Sequence, residues 1–199
     1  MEFFLQMEVA DERLPPEPFP KAFTFNFIAT ILRLAGYTSG HYLLSRMPLR
    51  FKMGNKTVKY KAGMALANLD QEIVLLVEDA LGFYGLLFCK AMAMFEENHN
   101  LSCDLHRLDP LECQLIPSIV MTERSSFFCK ILITQDQVNA AHSGGCPATL
   151  PVIEILLPQV PNVDECDRIT SLENCPIHFR LFEAFNSFLY DFYFYHVLA

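Results

Sequence analysis

Leu66, Leu69, Ile73, Leu76, Ala80 and Phe83 recur at alternating three- and four-residue steps, the spacing that lines up side chains on one face of an α-helix. The pattern predicts a buried helix over residues 66–83, about five turns at 3.6 residues each. Asn68, Asp70, Gln71, Glu72, Glu78 and Asp79 would form its solvent side and Gly85 its end. A rod of that kind needs a cover. Residues 86–95 are almost wholly apolar and read first as a strand covered on both faces, with a continuation of the helix as the second reading. Residues 103–108, 118–121, 127–134 and 150–157 read as further strands, most of them rich in Ile, Val, Phe and Leu. The expectation is a central helix laid against a mostly antiparallel sheet.

Upstream, residues 1–20 end in the Pro-rich Leu14-Pro15-Pro16-Glu17-Pro18-Phe19-Pro20 and predict an irregular arm. From Lys21, the residues Phe23, Phe27, Ile31 and Leu34 follow one helical face, with Phe25, Ile28 and Leu32 on a second and Gly36 as a stop. A short helical piece is expected over residues 41–45. Leu49, Phe51 and Met53 then alternate with Arg50 and Lys52, and Gly54-Asn55 separates them from Lys56-Thr57-Val58-Lys59-Tyr60-Lys61. That is the pattern of a basic β-hairpin. Residues 110–117 are poorly patterned, and residues 135–147 and 158–174 read as long loops. Asn174 is a candidate N-cap for a helix over residues 176–187, built on Phe179, Phe182 and Phe185. The aromatic stretch 188–197 is expected to turn from helix into a strand or extended tail. The sum is an α+β fold, with residues 21–199 forming one domain.

A chain of 199 residues that is 52% hydrophobic can bury one sizeable core. Its 18 Phe and 7 Tyr supply large apolar area, while only 19% of residues are charged, against about 25% in ordinary soluble domains. No apolar run approaches the ~20 residues of a spanning helix, so no membrane is expected. The first residues lack the basic start and apolar stretch of a signal peptide. Seven widely spaced cysteines with no Cys-x-x-Cys fit reduced core thiols. The expectation from these features is an intracellular protein, cytoplasmic or nuclear, in which the sequons at Asn55 and Asn100 would carry no glycan.

Gly-rich phosphate loops, Gly-x-Ser-x-Gly and His-Glu-x-x-His are all missing, so neither enzyme chemistry nor a cofactor is expected. The nearest metal-like group is His99, Cys103 and His106, with Cys89 and Cys113 near in sequence. On a strand, Cys103 and His106 would point to opposite faces, which favours thiols in the core and imidazoles on the surface over zinc. The pairs Glu78-Asp79 and Glu96-Glu97 diverge in helix or strand alike and read as solvated positions.

Net charge is −8, yet no acid occurs between Pro18 and Leu69, where eight of the 15 basic residues fall. Arg46, Arg50, Lys52, Lys56, Lys59 and Lys61 concentrate that charge on the hairpin, which suggests an anionic partner. Interleaved Phe51 and Tyr60 would suit single-stranded nucleic acid, although Phe51 is in phase with Leu49 and Met53 and so turns inward. The aromatic residues Tyr190, Phe192, Tyr193, Phe194 and Tyr195 are candidates for a protein interface.

Phe19-Pro20 leading into the helix with Ile31-Leu32, Ala65-Leu66-Ala67-Asn68-Leu69 through Glu78-Asp79, the apolar stretch 86–95 and Leu105 to Asp109 together resemble the HORMA-domain family and its comet-type checkpoint adaptors, over residues 19–109. The resemblance implies a helix across a sheet and an adaptor role. It transfers no functional residue. The leading expectation is therefore a non-enzymatic module that binds a partner protein through a strand edge or the aromatic C-terminal segment, within a hetero- or homo-oligomer. The alternatives are a nucleic-acid-binding subunit that uses the hairpin over residues 46–61, and an enzyme with an unfamiliar site.

Overall fold

The computed structural model describes residues 21–78, 84–103, 110–121, 126–156 and 175–196. A sheet of six strands forms the middle layer, in the order β1 (Tyr42–Ser45), β4 (Met64–Ala67), β5 (Ile73–Glu78), β6 (Cys113–Met121), β7 (Ser126–Thr134) and β8 (Ile153–Leu156). Between β1 and β4 the chain makes a separate ribbon of β2 (Pro48–Met53) and β3 (Lys56–Lys61). All neighbours run antiparallel except β5 and β6. A parallel pair needs a crossover, and the helix α2 (Tyr84–Leu101) lies between these two strands in sequence. With α1 (Lys21–Leu34), α3 (Gln135–Ser143) and α4 (Cys175–His196), the fold is α+β, as its composition and patterning led us to expect.

Two apolar cores sandwich the sheet. On one face, Ala65, Ile73, Leu76, Ile116, Cys129, Ile131 and Ile133 meet α2, the α3 residue Val138, and Leu49 and Phe51 of the ribbon. On the other, Leu66, Val74, Leu75, Val77, Ile119 and Phe128 meet Ile28 and Leu32 of α1 and Phe182, Phe185 and Leu189 of α4. Each fully buried Leu, Ile or Phe contributes about 1.5–3 kcal/mol. The outer helices are joined by hydrogen bonds: Tyr37 Oη donates to the Phe182 carbonyl at 2.8 Å and Asn186 Nδ2 to the Ala35 carbonyl at 3.1 Å.

Several sequence expectations need correction. The stretch 66–83 is not a helix: its described part, up to Glu78, is the end of β4, a tight turn and β5. Every residue of both strands is buried, so neither shows the alternation that marks a half-exposed strand. The turn holds Gln71 at φ 69° and returns Asn68 N–H to the Glu72 carbonyl at 2.9 Å. Residues 86–95, expected as a strand, lie within α2. That helix contains no Val, Ile or Thr, and Ala91 to Phe95 are buried without a break. The short helix expected at 41–45 is the edge strand β1.

Part of the loop expected at 135–147 is α3. The Thr134 hydroxyl accepts from Gln137 N–H while the Gln137 side chain accepts from Thr134 N–H, a reciprocal cap, and Gly144 ends the helix at φ 73°. The stretch 188–197 does not leave the helix within its described part, because α4 runs unbroken to His196. Residues 113–117, without a clear pattern in sequence, begin β6; Pro117 lacks an N–H, and pairing with β5 starts one residue later, at Ser118. The expected hairpin, the helix from Lys21 and the strands around 118–121, 127–134 and 150–157 are present. The proposed arm at 1–20, the loop at 158–174, the Asn174 cap and residues 104–108 of one expected strand lie outside the described residues.

Candidate functional site

The ribbon sorts its side chains by parity. Leu49 and Phe51 are buried beneath it, whereas Pro48, Arg50, Lys52, Thr57, Lys59 and Lys61 are exposed on the outer face. Register places Arg50 directly opposite Lys59, Lys61 opposite Pro48, and Lys52 opposite Thr57. Lys56 is exposed at the turn, and Arg46, at φ 51°, precedes the ribbon with its N–H on the Gly63 carbonyl at 2.9 Å. None of these cations forms an ion pair among the described residues. The tip is anchored by Gly54 N–H, which donates to the Ala141 carbonyl at 2.9 Å.

Tyr190 does not offer a free ring: its hydroxyl donates to the Ser39 carbonyl at 2.8 Å and its ring meets His41 edge-on. Phe192, Tyr193, Phe194 and Tyr195 lie on the last turns of α4, and their side chains are outside the described residues. His99 sits on α2 with its ring tilted against Phe95 at 5.9 Å, Cys103 follows the end of that helix, and His106 lies outside the described residues. No group of three or more His, Cys, Asp or Glu side chains able to hold a metal occurs among the described residues.

Three polar pairs were not visible in the sequence, since their partners are 12 to 52 residues apart. Ser126 Oγ and His178 Nδ1 are 2.9 Å apart, in a spot where both residues are buried. A nucleophile there would meet no substrate, so the pair ties β7 to α4. Lys90 Nζ donates to Glu78 at 2.7 Å, and Gly63 N–H also points at that carboxylate at 3.4 Å. His142 Nε2 lies 3.2 Å from Glu96, with Phe51 against the imidazole at 5.4 Å. Burial pushes the Cys129 thiol up to about 11 and raises Cys89 as well, against a smaller opposing effect of the hydrogen bond with Tyr60. Neither thiol is an activated nucleophile.

Among the described residues, a run of exposed apolar side chains lies in and just before β8, the last strand of the sheet. Among the described residues it pairs with β7 on one side only; just ahead of it Leu150 is 79% exposed and Val152 61%, and within it Leu156 is 44% exposed. Ile155 and the neighbouring Leu132 are exposed as well. A single charge, Glu154, stands in the strand, opposite Lys130, whose Nζ lies 4.0 Å above the Phe188 ring. The sequence signal for this edge was present in Leu150-Pro151-Val152-Ile153-Glu154-Ile155-Leu156, apolar on both parities. Which strand would stand at the end of the sheet was not legible. No family model, no curated protein and no solved structure matches this chain.

Proposed function

We propose that the protein is a non-enzymatic interaction module that adds an extended segment of a partner protein to the outer edge of β8. The carrying observation is the coincidence of two properties in one strand: main-chain groups without a neighbour strand among the described residues, and apolar side chains exposed on both sides of it. A sheet edge of this kind pairs readily with another chain, main-chain hydrogen bonds supplying affinity and alternate side chains specificity. The segment that fits is apolar at alternate positions, to cover Val152 and Leu156 on one face and Ile155 on the other. The other terminal strand, β1, exposes Tyr42 and Leu44, which are two residues apart and so share one face.

The test is a double variant, Ile155→Lys with Leu156→Lys, used as bait in extracts of the native source beside the unaltered chain. Both residues are exposed, so the fold should persist, as read by far-ultraviolet circular dichroism. A partner held by the unaltered chain and lost by this variant supports the reading. A partner retained at equal yield by a folded variant excludes β8 as the docking edge.

A further inference from the structure

We infer that the outer face of the β2–β3 ribbon seats the sugar–phosphate backbone of double-stranded nucleic acid, without regard to base sequence. Four cations, Arg50, Lys52, Lys59 and Lys61, share that face with only Pro48 and Thr57. Arg50 and Lys59 stand in direct register, and like charges so placed destabilise a strand pair. No carboxylate relieves them among the described residues. A face that keeps this repulsion is matched to a partner that brings its own negative charge.

The chemistry of the face narrows that partner. Protein interfaces are organised around buried aromatic or aliphatic anchors, and this face exposes none, which argues against an acidic protein. Stacking on unpaired bases needs exposed aromatic rings, but Phe51 is buried and Tyr60 is half-buried on the inward parity beside Cys89. Phosphate contact then remains, and charge density favours the duplex. Along a strand, residues two apart are about 6.7 Å from each other, so Arg50 to Lys52 and Lys59 to Lys61 form two short parallel rows. Because the opposite face of the ribbon is fixed to the domain through Leu49 and Phe51, it lies on the backbone rather than entering a groove to read bases. This surface is separate from the β8 edge, and either can stand without the other.

The experiment is fluorescence anisotropy of a labelled 24-base-pair DNA duplex with the full chain over 50–200 mM salt. Four neutralised phosphates give a slope of log K against log salt of about −3.6, a loss of roughly 100-fold in affinity across that range. The variant Arg50→Gln, Lys52→Gln, Lys59→Gln, Lys61→Gln should lose this slope, whereas Arg33→Gln with Arg180→Gln, exposed cations elsewhere, should keep it. The fourfold variant should melt no lower than the parent, since the Arg50–Lys59 opposition is gone. If it folds poorly, Lys52→Gln with Lys59→Gln alone should flatten the slope by about 1.8. Absence of duplex binding at 50 mM salt, an unchanged slope in the folded variants, or tighter binding of a labelled polyglutamate peptide or of the single strand would each overturn the assignment.

Discussion

Asn98 of α2 acts as a one-residue strand neighbour for Ile73 of β5: its Oδ1 accepts from Ile73 N–H at 2.8 Å and its Nδ2 donates to the Ile73 carbonyl at 2.9 Å. The reason lies in the register. β5 pairs with β6 only from Leu76 onward, so the start of β5 has no strand beside it on that side. A side-chain amide has the donor and acceptor of a peptide, and Nδ2 also reaches Gln114 Oε1 of β6 at 3.2 Å, closing the gap between the strands.

Replacing Asn98 therefore leaves buried main-chain groups unsatisfied, each costing about 1–3 kcal/mol. Asn98→Leu should destabilise the fold by about 3 kcal/mol in urea unfolding, and Asn98→Asp by a similar amount, because a carboxylate cannot donate to the Ile73 carbonyl. A loss below about 0.5 kcal/mol in both, small for a buried group of this kind, would contradict the role given to this amide.

The Glu78–Lys90 pair fastens the end of β5 to α2, with side chains 8% and 12% exposed. Taking one partner from a buried pair strands the other charge at a cost of about 3–5 kcal/mol, whereas replacing both with apolar residues is far milder. Lys90→Met should accordingly be more destabilising than Glu78→Leu with Lys90→Met together. Additive losses in thermal melts would show that the two side chains do not act as a unit.

The buried thiols give alkaline sensitivity with a definite sign. Cys129 ionises only near 11 in the folded chain, and burial raises Cys89 and the Tyr37 phenol in the same direction. An exposed thiol ionises at about 8.5, so above that pH the unfolded chain holds fewer protons than the folded one and stability falls. Below it the contribution is complete and constant. Urea midpoints should be flat in this respect between about pH 7 and 8 and decline between about pH 8.5 and 11, with a shallower decline in Cys129→Val. A midpoint that rises over that interval would contradict the burial of these groups.

Elements with one wet face were legible: the ribbon shows its alternation because Arg50 and Lys52 are exposed between Leu49 and Phe51. Elements with no wet face were not. In β4 and β5 burial on both sides erases the period of two, and the turn at 68–72 placed its polar residues where a helix would also have them. Side-chain shape could have separated the cases. Ile73, Val74 and Val77 are β-branched, whereas α2 is built from Leu, Ala, Met and Phe. For α3 the Thr134-x-x-Gln137 cap stood in the sequence, at the start of the stretch 135–147 that reads as a loop. The aromatic end of α4 favours strand by intrinsic preference, but Phe182, Phe185 and Leu189 stack on one helical face against the sheet, and packing decides. Of the candidate site residues, Arg50, Lys52, Lys59 and Lys61 share one face of the ribbon as the alternation implied, whereas which strands would end the sheet, β1 and β8, depended on strand order, which no local pattern encodes.

Strand addition makes one requirement that no other mode of docking shares: the outward main-chain amides of β8 must become hydrogen-bonded. Hydrogen exchange of residues 153–156, measured for the free chain and for the complex with its captured partner, tests this directly. The account predicts that these amides exchange fast in the free chain and are strongly protected in the complex. Equal exchange in both, with the partner still bound, would contradict it.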